Sequence, residues 1–456
     1  MNPLKTQLHI LQLEGYRPNR FFSWWFKHPL TFSTSQKKPL IHTFKIKLIL
    51  SVTFLLCLGI VYFVSFPINL LVTLIFGFEP FPLLILSLIL IKPYEIIRRF
   101  LAIEDCRQKI LQHPHLTVIG ITGSYGKTST KDFLYEILVR QKQTLKTPKS
   151  YNTVFGIIKT VNLQLHKKLE YFICEMGAYV RGEIKELTHM IPINYAILNA
   201  VGTQHLERFG SLINTTLAKF EIIDAVKPEN ALVNLDNKYI REHLQLPRYK
   251  NVKTFSLENP EADFFIREKK IDRDGLSFIL IYQEKPYPFR TKLFGTSNLI
   301  NLTAAIGMSF VLGLDPKTIQ EAVKEIIPSP HRLELVKMGE ATLIDNAFSS
   351  NEEGFTRIIY DLKSLPGKKA LITPGIVELG KDTALVHEKI GSLANEVFDQ
   401  VVLVGKSERT AGLARGLGDK VKISYIENNS SVWPTIGALS KTYDWILLEN
   451  DLPDNF

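Results

Sequence analysis

The stretch Gly120-Ile-Thr-Gly-Ser-Tyr-Gly-Lys-Thr-Ser-Thr-Lys131 constrains the fold more than any other part of the chain. An apolar run, Leu116 to Ile121, leads into it as a strand, and a helical pattern from Lys131 to Arg140 leads out. Strand, glycine-rich turn, Gly-Lys-Thr and helix together build a phosphate-binding loop. Glycines let backbone N–H groups close on phosphate oxygens, and the helix N-terminus adds the positive end of its dipole. Thr122, Gly123, Ser124, Tyr125, Gly126, Lys127, Thr128 and Ser129 are therefore read as nucleotide-binding. Lys127 reaches the β and γ phosphates, and the Thr128 hydroxyl holds Mg²⁺. The common loop has a glycine, four residues, then Gly-Lys-Ser/Thr. Here that first position is Ile121, and the glycine comes one residue earlier.

From Leu116 onward apolar strands and helical patterns alternate, an α/β arrangement. Tyr171–Cys174 and Tyr195–Leu198 read as buried parallel strands, Leu212–Val226 as a helix and Ala231–Asn234 as a strand. Residues 253–294 hold short alternating runs and a turn signal at Asp274-Gly275, which predicts a small antiparallel section. Helices over Asn298–Gly313 and Pro316–Ile327 follow. Pro328-Ser-Pro330 marks a domain boundary. Beyond it, strands at 343–345, 370–373, 400–404, 421–424 and 445–448 predict a Rossmann-like domain without the Gly-x-Gly-x-x-Gly fingerprint.

The chain carries a net charge of +10 over 456 residues, which suggests nucleic acid until the charge is located. Residues 1–47 carry +7, residues 48–91 carry −1 and residues 92–111 carry +2, so the rest is nearly balanced. The basic excess flanks an apolar block, Leu48–Ile91, and the indicated partner is a lipid bilayer, not DNA or RNA. A crossing helix needs roughly 20 residues. The block holds two, about 47–66 and 68–91, as a hairpin turning near Phe66-Pro67. Glu79-Pro-Phe-Pro82 interrupts the second span and reads equally as a kink, a re-entrant turn or the true hairpin tip. Basic residues on both sides (Lys45, Lys47; Lys92, Arg98, Arg99) place both flanks in the cytoplasm. Aromatic and basic residues mixed over 1–30 suit a membrane interface or a docking segment. The three cysteines have no metal-ligand spacing and fit a reducing compartment. The predicted organisation is a basic and aromatic segment over 1–45, a membrane hairpin over 46–98, an ATP-binding domain over 112–330 and a second α/β domain over 331–456.

An acid directly after an apolar strand, Glu175 in Cys174-Glu-Met-Gly-Ala178, is placed to bind Mg²⁺ beside such a loop; alone it would be a solvated strand end. Lys219, in Leu217-Ala-Lys-Phe-Glu221, reads by physics alone as an exposed helix lysine.

The loop spacing resembles the ATP loop of the Mur ligases, which add amino acids to the peptidoglycan precursor. Further motifs match in order. Asn199 to Glu207 resembles the family's Asn…His-Leu-Asp/Glu segment, which implies that His205 helps bind a second Mg²⁺. The pattern around Lys219 is similar to the family's Ala-Lys-x-Glu, whose lysine becomes carbamylated. Asn298 and Asn301 match Gly-x-His-Asn-x-x-Asn, with Ser297 where His is usual; the resemblance makes Asn298 a reader of adenine. Pro330-His-Arg-Leu-Glu334 resembles the interdomain Arg-x-Glu element and makes Arg332 a phosphate contact. Asp345-Asn-Ala-Phe-Ser-Ser-Asn351 keeps the first Asp and last Asn of Asp-Asp-x-Tyr-Asn-Ala-Asn, which implies a ribose or nucleotide contact for Asp345. Thr373–Gly380 with His387 resembles the element most characteristic of the member that adds D-Ala-D-Ala. The resemblance covers roughly residues 112–456, and the apolar hairpin stands where the family has its UDP-sugar domain. It implies ATP, two Mg²⁺ ions, a carbamylated Lys219, and catalytic roles for Lys127, Lys219, His205 and Arg332. Its expected partners are a muramyl-peptide precursor and D-Ala-D-Ala. A related ligase with a lipid-linked or polymer acceptor, and a non-catalytic nucleotide-binding scaffold at the membrane, are the alternatives.

Overall fold

The computed structural model describes residues 3–28, 40–202, 206–348, 350–377, 379, 382–427 and 429–449. They divide into two units, one from Met1 to Glu104 and the other from Asp105 to Leu452.

The first unit is helical: α1 (Pro3–Leu13), α2 (Pro18–Lys27), α3 (Phe44–Phe63), α4 (Ile68–Phe78) and α5 (Phe81–Leu111), whose last turns belong to the second unit. The Thr43 hydroxyl caps α3 by accepting from the Ile46 N–H. Leu11, Phe21, Ile46, Ile49 and Leu84 form a small apolar core. Within it the Thr53 and Ser87 hydroxyls bond at 2.8 Å, and the Gln7 amide donates to Glu79. Among the described residues α3 is the one helix long and apolar enough to cross a membrane. The second expected span is not continuous: α4 and α5 meet at 89° across Glu79-Pro80. Proline has no N–H to donate and drives the residue before it out of the helical region, so the helix stops there. Pro82 sits in the first turn of α5, where a missing N–H costs nothing.

In the second unit the chain runs β1 (Thr117–Thr122), α6 (Lys127–Leu138), β2 (Thr144–Lys146), α7 (Val154–Gln164), β3 (Tyr171–Glu175), α8 (Glu183–Met190), β4 (Tyr195–Leu198), α9 (Leu206–Phe209), α10 (Leu212–Phe220), β5 (Ala231–Asn234), α11 (Lys238–His243) and β6 (Lys253–Ser256). It continues through β7 (Phe264–Asp272), β8 (Gly275–Tyr282), β9 (Lys285–Thr291), α12 (Thr296–Val311) and α13 (Pro316–Glu325). The strands form one sheet in the order β2-β3-β1-β4-β5-β6-β7-β8-β9. The antiparallel section is not separate: β7 pairs in parallel with β6, and the hairpins extend the same sheet. The helix expected to reach Val226 ends at Phe220. Ile119 and Ile121 of β1 pack with Phe133 and Ile137 of α6 and with Leu302 and Ala305 of α12. That packing fixes the strand-to-helix turn between two buried elements.

The second sheet comprises β10 (Glu334–Met338), β11 (Ala341–Asn346), β12 (Lys369–Thr373), β13 (Gln400–Val404), β14 (Lys422–Ile426) and β15 (Trp445–Glu449). Its helices are α14 (Glu352–Lys363), α15 (Thr383–Ala394), α16 (Glu408–Gly416) and α17 (Val432–Leu439). Its order is β10-β11-β15-β12-β13-β14, parallel except for the β10–β11 pair. The sequence reading missed β10, a short edge strand. The last strand inserts between β11 and β12, and Glu449 comes into register with Asn346.

Candidate active site

The loop after β1 has the geometry of an anion cradle. Gly126 takes φ +81°, and a Cβ there would overlap the Asn301 side chain and lie 2.8 Å from Asn199 Nδ2. Only glycine fits that backbone and that space. The Gly202 N–H donates to Ser124 Oγ at 2.9 Å, and the Ser124 N–H donates to the Ala200 carbonyl at 2.8 Å. These bonds tie the loop to the end of β4. Lys127 opens α6 and folds back, its Nζ donating to the carbonyls of Gly123 at 2.7 Å and Ser124 at 3.2 Å. Burial pushes the Lys127 pKa down; Glu175 opposes this and Arg332 adds to it. Burial likewise lowers Arg332, against pulls from Glu175 and Asp132. Two cations lie close enough to repel, in a place built for an anion. Thr128 is half-buried and Ser129 is buried against the cleft beside the loop. Thr122 is turned away, its hydroxyl donating to the Met176 carbonyl at 2.7 Å.

Glu175 is buried at the end of β3, as the sequence places it, but it is not solvated. Lys131 Nζ donates to one carboxylate oxygen at 3.0 Å and Asn152 Nδ2 to the other at 3.0 Å. Lys131 is fully buried too and also donates to the Lys149 carbonyl. Each Glu175 oxygen accepts one hydrogen bond and keeps a lone pair. Hard oxygen donors of this kind, with the Thr128 hydroxyl, suit Mg²⁺. Neither Lys131 nor Asn152 was read from the sequence. Lys131 lies four residues beyond the loop lysine, one helical turn on, a spacing that could have pointed to it. Asn152 gives no sequence signal, because only the fold brings it to β3.

Lys219 departs from the exposed lysine that physics alone favours. It is buried, 3% exposed, on α10. Its Nζ reaches the Ala178 carbonyl only at 3.5 Å and lies 5.7 Å from the Phe209 ring centre. No described carboxylate pairs with it. Burial first, then repulsion from Lys127, pulls its pKa down to about 7, against weaker upward pulls from Glu183 and Glu221. Lys127 and Lys219 line one small cavity, about 30 Å³, with Ser124, Asn152, Gly177 and Tyr179. His205 lies outside the described residues.

A larger cleft, about 110 Å³, opens on the other side of the loop. Gly126, Ser129, Asn298 and Asn301 form one wall; Arg332, Asn346, Arg357 and Glu449 belong to the other. Asn298 Nδ2 donates to the carbonyl of Phe294, just ahead of α12, at 3.0 Å. The Arg332 guanidinium stacks 4.0 Å from the Phe348 ring centre, and its neighbours His331 and Leu333 hold φ values of +59° and +55°. Asp345 is set behind this wall: it accepts from His331 Nδ1 at 2.8 Å and from the Ala347 N–H at 3.1 Å. Glu449 was missed, although it carries the signal used for Glu175, an acid directly after an apolar strand.

Residues 121–309 match the Mur ligase middle domain. The UDP-N-acetylmuramoyl-tripeptide–D-alanyl-D-alanine ligase of Buchnera aphidicola is 30% identical over 320 residues, 68% of this chain and 70% of that protein. The Escherichia coli protein of the same name is 28% identical over 344 residues, 73% and 76% of the two chains. The crystal structure of MurF from Acinetobacter baumannii superposes with a TM-score of 0.69 at 25% identity, covering 77% of each chain. A MurF ligase from Thermotoga maritima, solved in complex with ADP, shares the fold with a TM-score of 0.68 at 24% identity, covering 78% and 80%. A glycine-built anion cradle on a parallel sheet, and this likeness through both sheets, have one conclusion: the chain belongs to the Mur ligase family and is an ATP-dependent ligase.

Proposed function

We propose that the chain joins D-Ala-D-Ala to a UDP-muramyl tripeptide in peptidoglycan precursor synthesis, at the cytoplasmic face of a membrane. The observation that carries this reading is the phosphate loop sharing one cavity with a second buried, carboxylate-free lysine. The substrate carboxylate attacks the ATP γ-phosphate, giving an acyl phosphate and ADP. The amine then attacks the acyl carbon and phosphate leaves. Lys127 and Arg332 neutralise the charge that develops on the transferred group, and phosphate between them supplies the counter-charge that offsets the desolvation of both. Asn298 faces the base across the cleft, while Asp345, behind the opposite wall, holds His331 and the Ala347 turn in place rather than the ribose. Thr128, Glu175 and His205 would hold the metal ions. Bound Mg²⁺ supplies Lewis-acid neutralisation of the phosphate oxygens. A Lys219 amine with a pKa of about 7 has the neutral form that takes up carbon dioxide. Its carbamate adds the anion that the cavity lacks.

The membrane hairpin is α3 with the α4–α5 pair, over 46–98, and residues 1–45 and the two soluble domains, 112–330 and 331–456, lie in the cytoplasm. Exposed Phe54, Leu55, Tyr62 and Phe63 on α3 and Leu71, Leu74 and Phe78 on α4 support this, because water does not stabilise such a surface. The same surface favours a second reading, in which the acceptor is lipid-linked. An assay of ADP release with UDP-muramyl tripeptide or its lipid-linked form, each with and without D-Ala-D-Ala, separates the two. Release should need the UDP form and the dipeptide, and should vanish in Lys127→Ala. Release independent of D-Ala-D-Ala would sink the substrate assignment. Cysteines placed in residues 1–45 and in the ligase domains should resist labelling from outside intact cells.

A further inference from the structure

The apolar block is covered over only part of its length. In α3 the buried residues are Ile46, Ile49 and Thr53, all in the first half or just past it. Ile46 and Ile49 share a core with Leu8 and Leu11 of α1 and Phe21 of α2. Those two helices and the turn between them carry Lys5, Glu14, Arg17, Arg20 and Lys27. Sinking that half of α3 into hydrocarbon would carry their charges in with it, at high cost. From 54 to 78 the chain has no charged residue and no buried one. α4 packs back against α3, and its two polar side chains are bonded inside this hairpin. Asn69 Nδ2 donates to the Val61 carbonyl at 3.2 Å, and Thr73 Oγ1 to the Asn69 carbonyl at 2.8 Å. In the turn, the Val64 and Asn69 N–H groups donate to the Ile60 and Ser65 carbonyls, at 3.1 Å each. Pro67 has no N–H to place. Backbone needs such internal bonding where there is no water.

Entry and exit also lie together. α1 packs beside the start of α3, and its Gln7 amide donates to Glu79, the first charge after the hairpin. There the chain bends by 89° into α5. Leu86, Leu90, Tyr94, Ile97 and Leu101 of α5 are exposed at three- and four-residue spacing, one face of the helix, and Lys92, Glu95 and Arg99 share the opposite face. That is the pattern of a helix lying in a membrane surface. The second half of the 20-residue α3 is about 15 Å long and the 11-residue α4 about 16 Å, against a hydrocarbon core of ~30 Å. We propose that residues 54–78 form a wedge that enters one leaflet, turns near the bilayer centre and leaves by the same face, while α5 lies along that face. The partner is the cytoplasmic leaflet, whose acidic headgroups meet the +7 on residues 1–47. This rests on the membrane reading above and makes the hairpin a half-depth insertion, not a crossing.

The test measures depth on the full-length enzyme. Ser65→Cys places a thiol in the exposed turn; Cys106 and Cys174 are buried, and Cys57→Ala removes the third native thiol. A fluorophore on the new thiol is read in vesicles of phosphatidylethanolamine and phosphatidylglycerol. Lipids brominated at the chain end should quench it about twofold or more better than lipids brominated beside the headgroup, because half of a ~30 Å core separates the two depths. In intact cells an impermeant maleimide should not reach that thiol from outside. The same label at Phe26→Cys, exposed on α2, should show the reverse order and be quenched best beside the headgroup. Stronger quenching of the turn beside the headgroup, labelling of the turn from outside, or a chain-end preference at Phe26→Cys would overturn the proposal. An enzyme that stays out of floated vesicles and is quenched by neither lipid would remove the membrane reading itself, and this proposal with it, a result distinct from the others.

Discussion

Two buried lysines flank the phosphate loop, and they have opposite surroundings. Behind the loop, Lys131 is held by the Glu175 carboxylate and the Lys149 carbonyl. In front of it, Lys219 has one long contact to a carbonyl, an aromatic ring and a second lysine as neighbour. Both are buried on helices, so burial alone does not tell them apart. The difference is the counter-charge. A buried cation with its anion in place is part of the scaffold. A buried cation without one is poised for a ligand, a modification or the loss of its proton.

Breaking the first pair should have the largest effect. Lys131→Met leaves Glu175 buried and unpaired, and should cost about 3–5 kcal/mol of folding stability, read as a shift of the urea midpoint. A loss under about 1 kcal/mol would show that the carboxylate finds another partner. Lys219→Ala should do the reverse. Its ligation rate should drop by two orders of magnitude or more, roughly the scale of one lost electrostatic contact in an active site. The fold should remain, and short carboxylates added to the assay should restore part of the rate. A fully active Lys219→Ala would refute the carbamate.

The same contrast has a pH signature. The folded Lys219 pKa, about 7, lies below its ordinary 10.5, so between those values the unfolded chain binds more protons than the folded one. Stability should therefore rise with pH across that window, by up to about 1.4 kcal/mol per unit from this group. In bicarbonate-free buffer, that part of the slope should be missing from Lys219→Met. The smallest effect belongs to the exposed His331. Its hydrogen bond to Asp345 raises its pKa above 6.5. That stabilisation is fully present below pH 6.5 and fades as pH rises through the raised value. His331→Gln should remove it, with a change under about 1 kcal/mol.

The phosphate loop and most strands were legible because the information is local: an apolar run, glycines where only glycine fits, and a lysine at the head of a helix. The strand-end position of Glu175 was legible for the same reason, but its partners were not. Asn152 and Lys131 are 23 and 44 residues away from it along the chain. Lys219 was recognisable only through its resemblance to a family pattern, since a helix lysine looks the same in sequence whether water or Phe209 lies above it. Glu449 shows the converse: its signal was present, but nothing local says which strand becomes its neighbour.

Sequence alone determined the loop and its chemistry, the α/β alternation and the concentration of basic charge around one apolar block, and it marked Glu79–Pro82 as an interruption without saying of which kind. Each follows from the stereochemistry or polarity of residues adjacent in the chain. Tertiary structure alone decided which buried charges are paired. It placed β15 between β11 and β12, brought Glu449 beside Asn346 and Ser350, and left Lys219 facing Lys127 without an anion. The physical reason is that the strength of a charge depends on its distance to other charges and to water, and only the fold sets those distances.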